Sequence, residues 1–441
     1  MRTLVKLGGV GAAVIALALQ ATAPADAALG VPFTNSAVDR IYGGGSDTTY
    51  TLMNDLASAF HESDGCLLNA ASFPLTGTSP TQNQCQSGAG AAITGDNIYE
   101  NYDHDMVINF FPQGSNAGRG QLCNQKTSAD GSGPNKDPRV PYIDFARSSS
   151  APGTGFQCTV ANGGESGTAL NFVAFARDAI SWTHWNTGGG GGGAAVTNLT
   201  VAQLRDIFIT CAITQWGAVG GEAGEPIIVY TAIPGSGTRS TWEGFLGGGN
   251  SETCIPAQFK DGNVGNGERV VREHQMEPVE QAFNDPGAAN ESNSIYYMSF
   301  GLHESNPGFA GSSLIGNVNG IVPNETTIVD GTFPFSRNMY NVYRTGPNSP
   351  VANQAVRRFI AMIGNPTPTN VQNVGWICKG DPYHSEQVGN PSAEGIEDPT
   401  ATQDWAEIKE AAFEANGMFQ LAADPARQLH RCELPVLVTV P

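Results

Sequence analysis

The chain has 441 residues, with 22 Lys+Arg against 41 Asp+Glu and a formal charge of −19. Apolar residues make up 40% and charged residues 14%, which excludes a disordered chain and suits two or three domains with a sizeable core. The acidic balance argues against sequence-independent nucleic-acid binding and against docking on an anionic membrane.

The first segment reads as a targeting signal. Arg2 and Lys6 form a basic start, Leu7 to Leu19 is apolar, and Ala25-Asp26-Ala27 is an A-x-A cleavage pattern. The apolar run is shorter than the ~20 residues a membrane span needs. Cleavage after Ala27 removes two bases and one acid, leaving 20 − 40 = −20. Eight cysteines follow, at 66, 85, 123, 158, 211, 254, 378 and 432, with no C-x-x-C. An even number in an exported chain predicts four disulfides. Nearest-neighbour pairing is the expectation: 66–85, 123–158, 211–254 and 378–432.

In chain order, Leu52, Leu56 and Phe60 form a helical stripe just after Asp47, Thr48 and Thr49. Strand-like runs occur at Val107–Phe111, Tyr142–Phe145, Phe172–Ala176, Ile227–Tyr230, Ser294–Met298 and Met339–Tyr343. The glycine run 188–193 reads as a flexible surface loop. Thr200 and Gln203 form a capping box ahead of Leu204, Ile207 and Phe208. Another helix is predicted to begin near Ser240. Pro350 starts a further helix with stripe residues Val356, Phe359, Ile360 and Ile363, ended by Gly364. Trp405, Ile408 and Ala412 mark a last helix. Strands alternating with helices predict an α/β fold.

Catalytic signatures are absent from the sequence. There is no G-x-S-x-G, H-E-x-x-H or G-x-x-x-x-G-K-[ST] pattern, and the seven His are dispersed. No cofactor or metal is expected, and no catalytic residue is assigned.

Four segments carry a different chemistry. They are GGGSDTT at 43–49, GSNAGRG at 114–120, DFARSSS at 144–150 and GSGTRS at 235–240. Each sets glycine and small hydroxyl residues where a strand gives way to a loop or a helix. Helix N-termini carry unpaired N–H groups and the positive end of the dipole. Glycine admits a close backbone, and Ser or Thr adds donors, so a small oxyanion can be wrapped with few formal charges.

The order of these segments resembles the phosphate-binding proteins of bacterial phosphate ABC transporters, a type II periplasmic-binding-protein family. IYGGGSDTT (41–49) is similar to the family's opening G-x-G-x-T segment. QGSNAGRG (113–120) resembles its Gly/Ser loop, and IDFARSSSAP (143–152) its D-F-x-x-S-D-x-P segment. LRDIFITCAITQWGAVGG (204–221) resembles its helix and I-x-x-W-x-x-x-G turn. GSGTRSTWEGFL (235–246) resembles its S-G-T signature, the most specific of the set. SNSIYYMSFG (292–301) and TFPFSRNMYNVYR (332–344) resemble its later strands.

That resemblance implies an α/β fold of two lobes with a central cleft and two hinge crossings. Residues 28–171 and 337–441 would form lobe one, and residues 172–336 lobe two. The implied ligand contacts are Asp47, Thr48, Ser115, Ser150, Ser236, Gly237 and Thr238. Two positions depart from the family pattern. Ala232 stands where the family has Arg, and Ser150 where it has an Asp that accepts the proton of phosphate. Arg147 and Arg239 are candidates to supply the missing charge, and Asp47 the missing acceptor. The implied function is that of a secreted or periplasmic monomer. It would capture inorganic phosphate or a similar oxyanion and pass it to an ABC permease. A surface or adhesion-type protein with a degenerate pocket is the alternative, and a secreted phosphatase a third.

Overall fold

In the computed structural model the described residues are 41–62, 107–109, 114–124, 143–185, 192–260, 269–271, 293–306, 313–346, 359–360, 377, 405–421 and 436–439. The leader, its cleavage site, the 66–85 and 378–432 cysteine pairs and most of the helix after Pro350 lie outside these residues.

The first lobe begins with strand β1 (Ile41–Gly45) and helix α1 (Tyr50–Glu62). Strand β2 (Val107–Asn109), helix α2 (Ser115–Asn124) and strand β3 (Phe145–Ser148) follow. β1 lies between β2 and β3, parallel to both. Strand β3 starts at the end of the predicted Tyr142–Phe145 run, so the serines of the third segment sit at its end and just beyond.

Strand β4 (Ala169–Trp185) is far longer than the Phe172–Ala176 run that suggested it. The charged pair Arg177 and Asp178 interrupts the apolar pattern without ending the strand. In lobe two come β5 (Asn198–Leu199), α3 (Val201–Phe208), β6 (Ile228–Val229), β7 (Thr231–Ala232) and α4 (Gly237–Phe245). Then follow β8 (Val270–Val271), β9 (Ser294–Ser299), α5 (Phe300–Glu304), β10 (Ser313–Ile315), β11 (Asn317–Val318) and α6 (Glu325–Val329). Strand β12 (Ser336–Thr345) returns, and α7 (Trp405–Ala415), β13 (Phe419–Gln420) and β14 (Val436–Thr439) complete the described elements.

The main sheet runs β2-β1-β3-β12-β4-β9-β6. β4 changes partner along its length. Ala169 to Ala179 pairs antiparallel with β12, and Ile180 to His184 pairs antiparallel with β9. One strand therefore serves both lobes of this two-lobed α/β fold, and β12 runs back beside it.

Each lobe has its own core. In lobe one Leu122, Ile143, Leu170, Phe172 and Val342 are buried together. In lobe two Trp182, Phe208, Trp216, Trp242, Tyr297 and Phe335 form an aromatic centre. Trp242 stacks on Tyr297 at 4.8 Å and meets Phe208 and Phe335 edge-on. Each such ring contributes about 2–3 kcal/mol by burial. The anchor of α3 is the capping box read from the sequence: Gln203 N–H donates to Thr200 Oγ1, and Gln203 Oε1 accepts from Thr200 N–H. The end of the glycine run is not loose. Gly192 N–H donates to Asn293 Oδ1 at 2.8 Å, and Gly193 lies against the Trp216 ring with no room for a side chain.

Two disulfides form as paired by nearest neighbour: Cys123–Cys158 in lobe one and Cys211–Cys254 in lobe two. Among the described residues no helix is long and apolar enough to cross a membrane.

Candidate functional site

Three helices present their N-termini to the boundary between the lobes. α1 follows the loop 46–49, α2 opens at Ser115, and α4 opens at Gly237. Helix α4 begins three residues earlier than predicted. Ser236 is its N-cap, and the Ser236 hydroxyl accepts the Arg239 N–H at 3.2 Å. The N–H groups of Gly237 and Thr238, at the first two helical positions, have no acceptor within the helix.

Glycine makes the approach of the lobes possible. Gly114 has φ +89°, and a Cβ there would lie 2.7 Å from the Gly235 carbonyl oxygen. Asn116 N–H donates across the boundary to that same carbonyl at 3.3 Å. A Cβ on Gly237 would lie 2.2 Å from Ser115 Oγ and 2.5 Å from Ser149 Oγ.

Four hydroxyls meet at this point. Thr48 Oγ1 is 3.0 Å from Thr238 Oγ1, across the lobes. Ser115 Oγ is 3.1 Å from Ser149 Oγ and accepts the Ser149 N–H at 3.0 Å. Thr241 Oγ1 donates to the Ser149 carbonyl at 3.3 Å. The side chains of Thr48, Ser115, Ser149 and Thr238 are all buried.

The charge at the junction comes from a residue that the sequence reading did not single out. Arg337, on β12, donates from Nη1 to Thr238 Oγ1 at 2.8 Å and to the Ser149 carbonyl at 3.2 Å. Its Nε and Nη2 donate to Asp178 Oδ2 at 2.9 and 2.7 Å. Both partners are buried, and the Asp178 carboxylate also accepts the Gly301 N–H at Oδ1. The signal in the sequence was charge inside strand runs otherwise rich in apolar residues, Asp178 in FVAFARDAISW and Arg337 in TFPFSRNMYNVYR. Burying such a charge is costly unless it is paired, but the sequence does not say with which partner.

The arginines proposed from the sequence sit elsewhere. Arg147 is fully buried behind the first loop. Its Nε donates to the Ser46 carbonyl at 3.1 Å, and its guanidinium lies over the Tyr50 ring at 5.3 Å. Burial pushes its pKa down to about 10, against the opposing charge of Asp47 and the Tyr50 phenol. Arg239 points into lobe two. Its Nε donates to Glu243 Oε1 at 2.9 Å, its Nη1 to Glu252 and to the Ala232 carbonyl, and its Nη2 to Asn250 Oδ1 at 2.9 Å. Burial works against its charge, but Glu252 and Glu243 outweigh burial and raise its pKa. Arg239 thus fastens α4 to Asn250 and Glu252, all within the loop closed by the Cys211–Cys254 disulfide. The guanidinium that reaches Thr238 comes from β12, not from within α4.

The remaining expected residues divide similarly. Asp47 Oδ1 accepts the Gly114 N–H at 3.0 Å and so ties the first loop to the second. Ser149, not Ser150, shares a hydrogen bond with Ser115. The Ser150 hydroxyl is buried with no hydrogen-bond partner among the described residues. Which of the three serines meets Ser115 was left open by spacing alone. Among the described residues no group of three or more His, Cys, Asp or Glu is placed to hold a metal ion.

A two-lobed α/β fold whose loops and helix N-termini converge between the lobes is the architecture of a binding protein. The family described as a PBP superfamily domain matches residues 69–363, and the chain belongs to that family. Similar solved structures include an ABC-type phosphate transport receptor from Vibrio cholerae, 18% identical, with TM-score 0.39, covering 69% of this chain and 86% of that one. PstS from Borrelia burgdorferi is 16% identical, with TM-score 0.36, covering 87% of this chain and 100% of that one. A phosphate binding protein from Stenotrophomonas maltophilia is 12% identical, with TM-score 0.39, covering 89% and 92%. No curated protein matches the chain.

Proposed function

We propose that the chain is a substrate-binding protein that captures inorganic phosphate or a related tetrahedral oxyanion between its lobes. The observation that carries this reading is the convergence of four buried hydroxyls, the Arg337 guanidinium and the free N–H groups of α4 at one interlobe point. Hydroxyl and N–H donors around a single guanidinium suit an oxyanion and suit little else. Formal charge is not what attracts the ligand: Arg337 is balanced by Asp178, and Arg147 by Asp47. Directed dipoles hold the anion, which agrees with a chain of net charge −19.

The residues assigned to the ligand are Thr48, Ser115, Ser149, Gly237, Thr238 and Arg337. Asp47, Arg147, Ser236 and Arg239 shape the loops and helices that present them. Delivery to an ABC permease, a monomeric state and export follow from the resemblance of the four segments. The disulfides Cys123–Cys158 and Cys211–Cys254 agree with an oxidising compartment. In this reading lobe one pivots on lobe two where β4 changes partner, at Ala179 and Ile180.

Thermal unfolding of the anion-stripped protein tests the proposal. A ligand at ~1,000 times its dissociation constant adds about 4 kcal/mol to the native state, which raises the melting point by several degrees. The rise is expected with phosphate and is expected to vanish in Ser115→Ala with Thr238→Val. No rise with phosphate, sulfate, arsenate or molybdate would replace the proposal with the surface protein of degenerate pocket.

A further inference from the structure

We propose that Arg119 is kept in lobe one as a buried charge whose counter-ion is the anion captured at the N-terminus of α2. The inference rests on the reading that the junction holds an oxyanion.

Arg119 lies on α2, one turn after Ser115, and is fully buried. Side chains on a helix lean toward its N-terminus, and this one does. Its Nη2 donates to Asn116 Oδ1 at 2.6 Å and to the Thr154 carbonyl at 2.9 Å. The guanidinium therefore lies level with the first turn of α2. It sits beside the residue whose N–H crosses to the Gly235 carbonyl of lobe two. Backbone closes over it at Gly155, where a Cβ would lie 2.9 Å from Nη2.

Three features of this placement are unfavourable without an anion. Arg119 Nε and Nη1 are buried with no hydrogen-bond partner, and unmet donors cost stability. Burial pushes its pKa down to about 10, with no carboxylate among the described residues acting to raise it. A cation at the first turn also opposes the positive end of the helix dipole. The Phe172 ring, 5.7 Å from Cζ, offsets only part of this. The arginines on either side of the junction differ, since Arg337 pairs with Asp178 and Arg147 faces Asp47. An oxyanion seated against Ser115 answers both the charge and the dipole. Because Arg119 is buried, it acts on the seated anion at short range and does not steer it from solution. The helix N-termini and hydroxyls present the donors, and Arg119 adds its charge to the positive end of α2.

The test is thermal unfolding and phosphate calorimetry of the full chain, stripped of anion, in Arg119→Met and Arg119→Lys. Methionine keeps the apolar stem and removes the charge, and the half-buried Thr154 carbonyl it releases can meet water. Arg119→Met is expected to melt higher than wild type without anion. It is expected to bind inorganic phosphate about tenfold more weakly or worse, ~1.4 kcal/mol. Lysine keeps the charge without the fork, and Arg119→Lys is expected to bind phosphate within about threefold of wild type. Wild-type affinity in Arg119→Met overturns the inference and leaves the oxyanion reading standing. A lower melting point or failure to fold in Arg119→Met overturns it too, since Arg119 would then be a structural residue. Equal losses in Arg119→Lys and Arg119→Met would make shape the cause and overturn it as well. Absence of phosphate binding by the wild-type chain overturns the reading itself, and the inference with it.

Discussion

Replacing Gly237 by alanine probes the junction between the lobes. The new Cβ would lie 2.2 Å from Ser115 Oγ, 2.5 Å from Ser149 Oγ and 2.8 Å from Ser115 Cβ, where ordinary contact begins at 3.4 Å. The worst overlap is 3.4 − 2.2 = 1.2 Å. Rotation of the serine hydroxyls relieves part of it, but Ser115 Cβ is carried by α2 and stays. The lobes must part by about an ångström, a distance that breaks hydrogen bonds of ordinary length. Three bonds across the boundary are strained: Thr48 to Thr238, Asn116 N–H to the Gly235 carbonyl, and Thr241 to the Ser149 carbonyl. At a net ~1 kcal/mol each, the loss is about 3 kcal/mol, or roughly hundredfold in anion affinity. Gly237 has a helical backbone that alanine adopts freely, and alanine gains up to about 1 kcal/mol over glycine in a helix. Calorimetry with phosphate should therefore show the hundredfold loss; the same three bonds are present without the anion, so the anion-free melting point should fall as well, offset in part by the helical gain. Wild-type affinity in Gly237→Ala would refute the placement of the ligand at the start of α4.

Two further expectations concern lobe two. Cys211→Ser with Cys254→Ser opens a loop of sequence separation 43 and should cost about 4 kcal/mol by chain entropy. Denaturant unfolding reads this loss. Anion affinity should fall too, since Asn250 and Glu252, which hold Arg239 and α4, sit in the released segment. The second expectation concerns alkaline pH. Burial pushes the Tyr297 phenol up to about 12, against hydrogen bonds with Ser251 and Thr231 and the charge of Arg239. The unfolded chain ionises this group near ~10. The native state thus holds its proton longer, so stability is full below pH ~10 and declines until about 12, by roughly 3 kcal/mol in all. Denaturation across that window should show the decline, and Tyr297→Phe should remove the share of Tyr297, leaving that of Tyr343, whose phenol burial also pushes up to about 12. Equal slopes in both proteins would mean that Tyr297 is not the buried group responsible.

What was legible in the four segments rests on local rules. Ser236 caps α4 and Thr200 with Gln203 caps α3 through contacts three residues apart. The wish of glycine-rich turns for small residues is local as well. The two disulfides among the described residues followed nearest-neighbour order, as short excursions allow. Arg337 escaped the reading because its role depends on β4 and β12 lying side by side. Asp178 and Arg337 are 159 residues apart, and nothing in either segment names the other. The partners of Arg147 and Arg239 escaped the reading for the same reason. The direction of a long side chain is set by the neighbours it finds. Arg147 found the Ser46 carbonyl and Tyr50, and Arg239 found two glutamates.

By itself the sequence determined the α/β alternation, the helix caps, the hydroxyl-rich junctions and the acidic character that forces any anion to be held by local dipoles. These are properties of residues within a few positions of one another. The tertiary structure decided which serine of DFARSSS faces Ser115, which arginine reaches Thr238, and where β4 passes from one lobe to the other. Those outcomes depend on strand register and on charges that must find partners when buried, and both are fixed only once distant segments pack together.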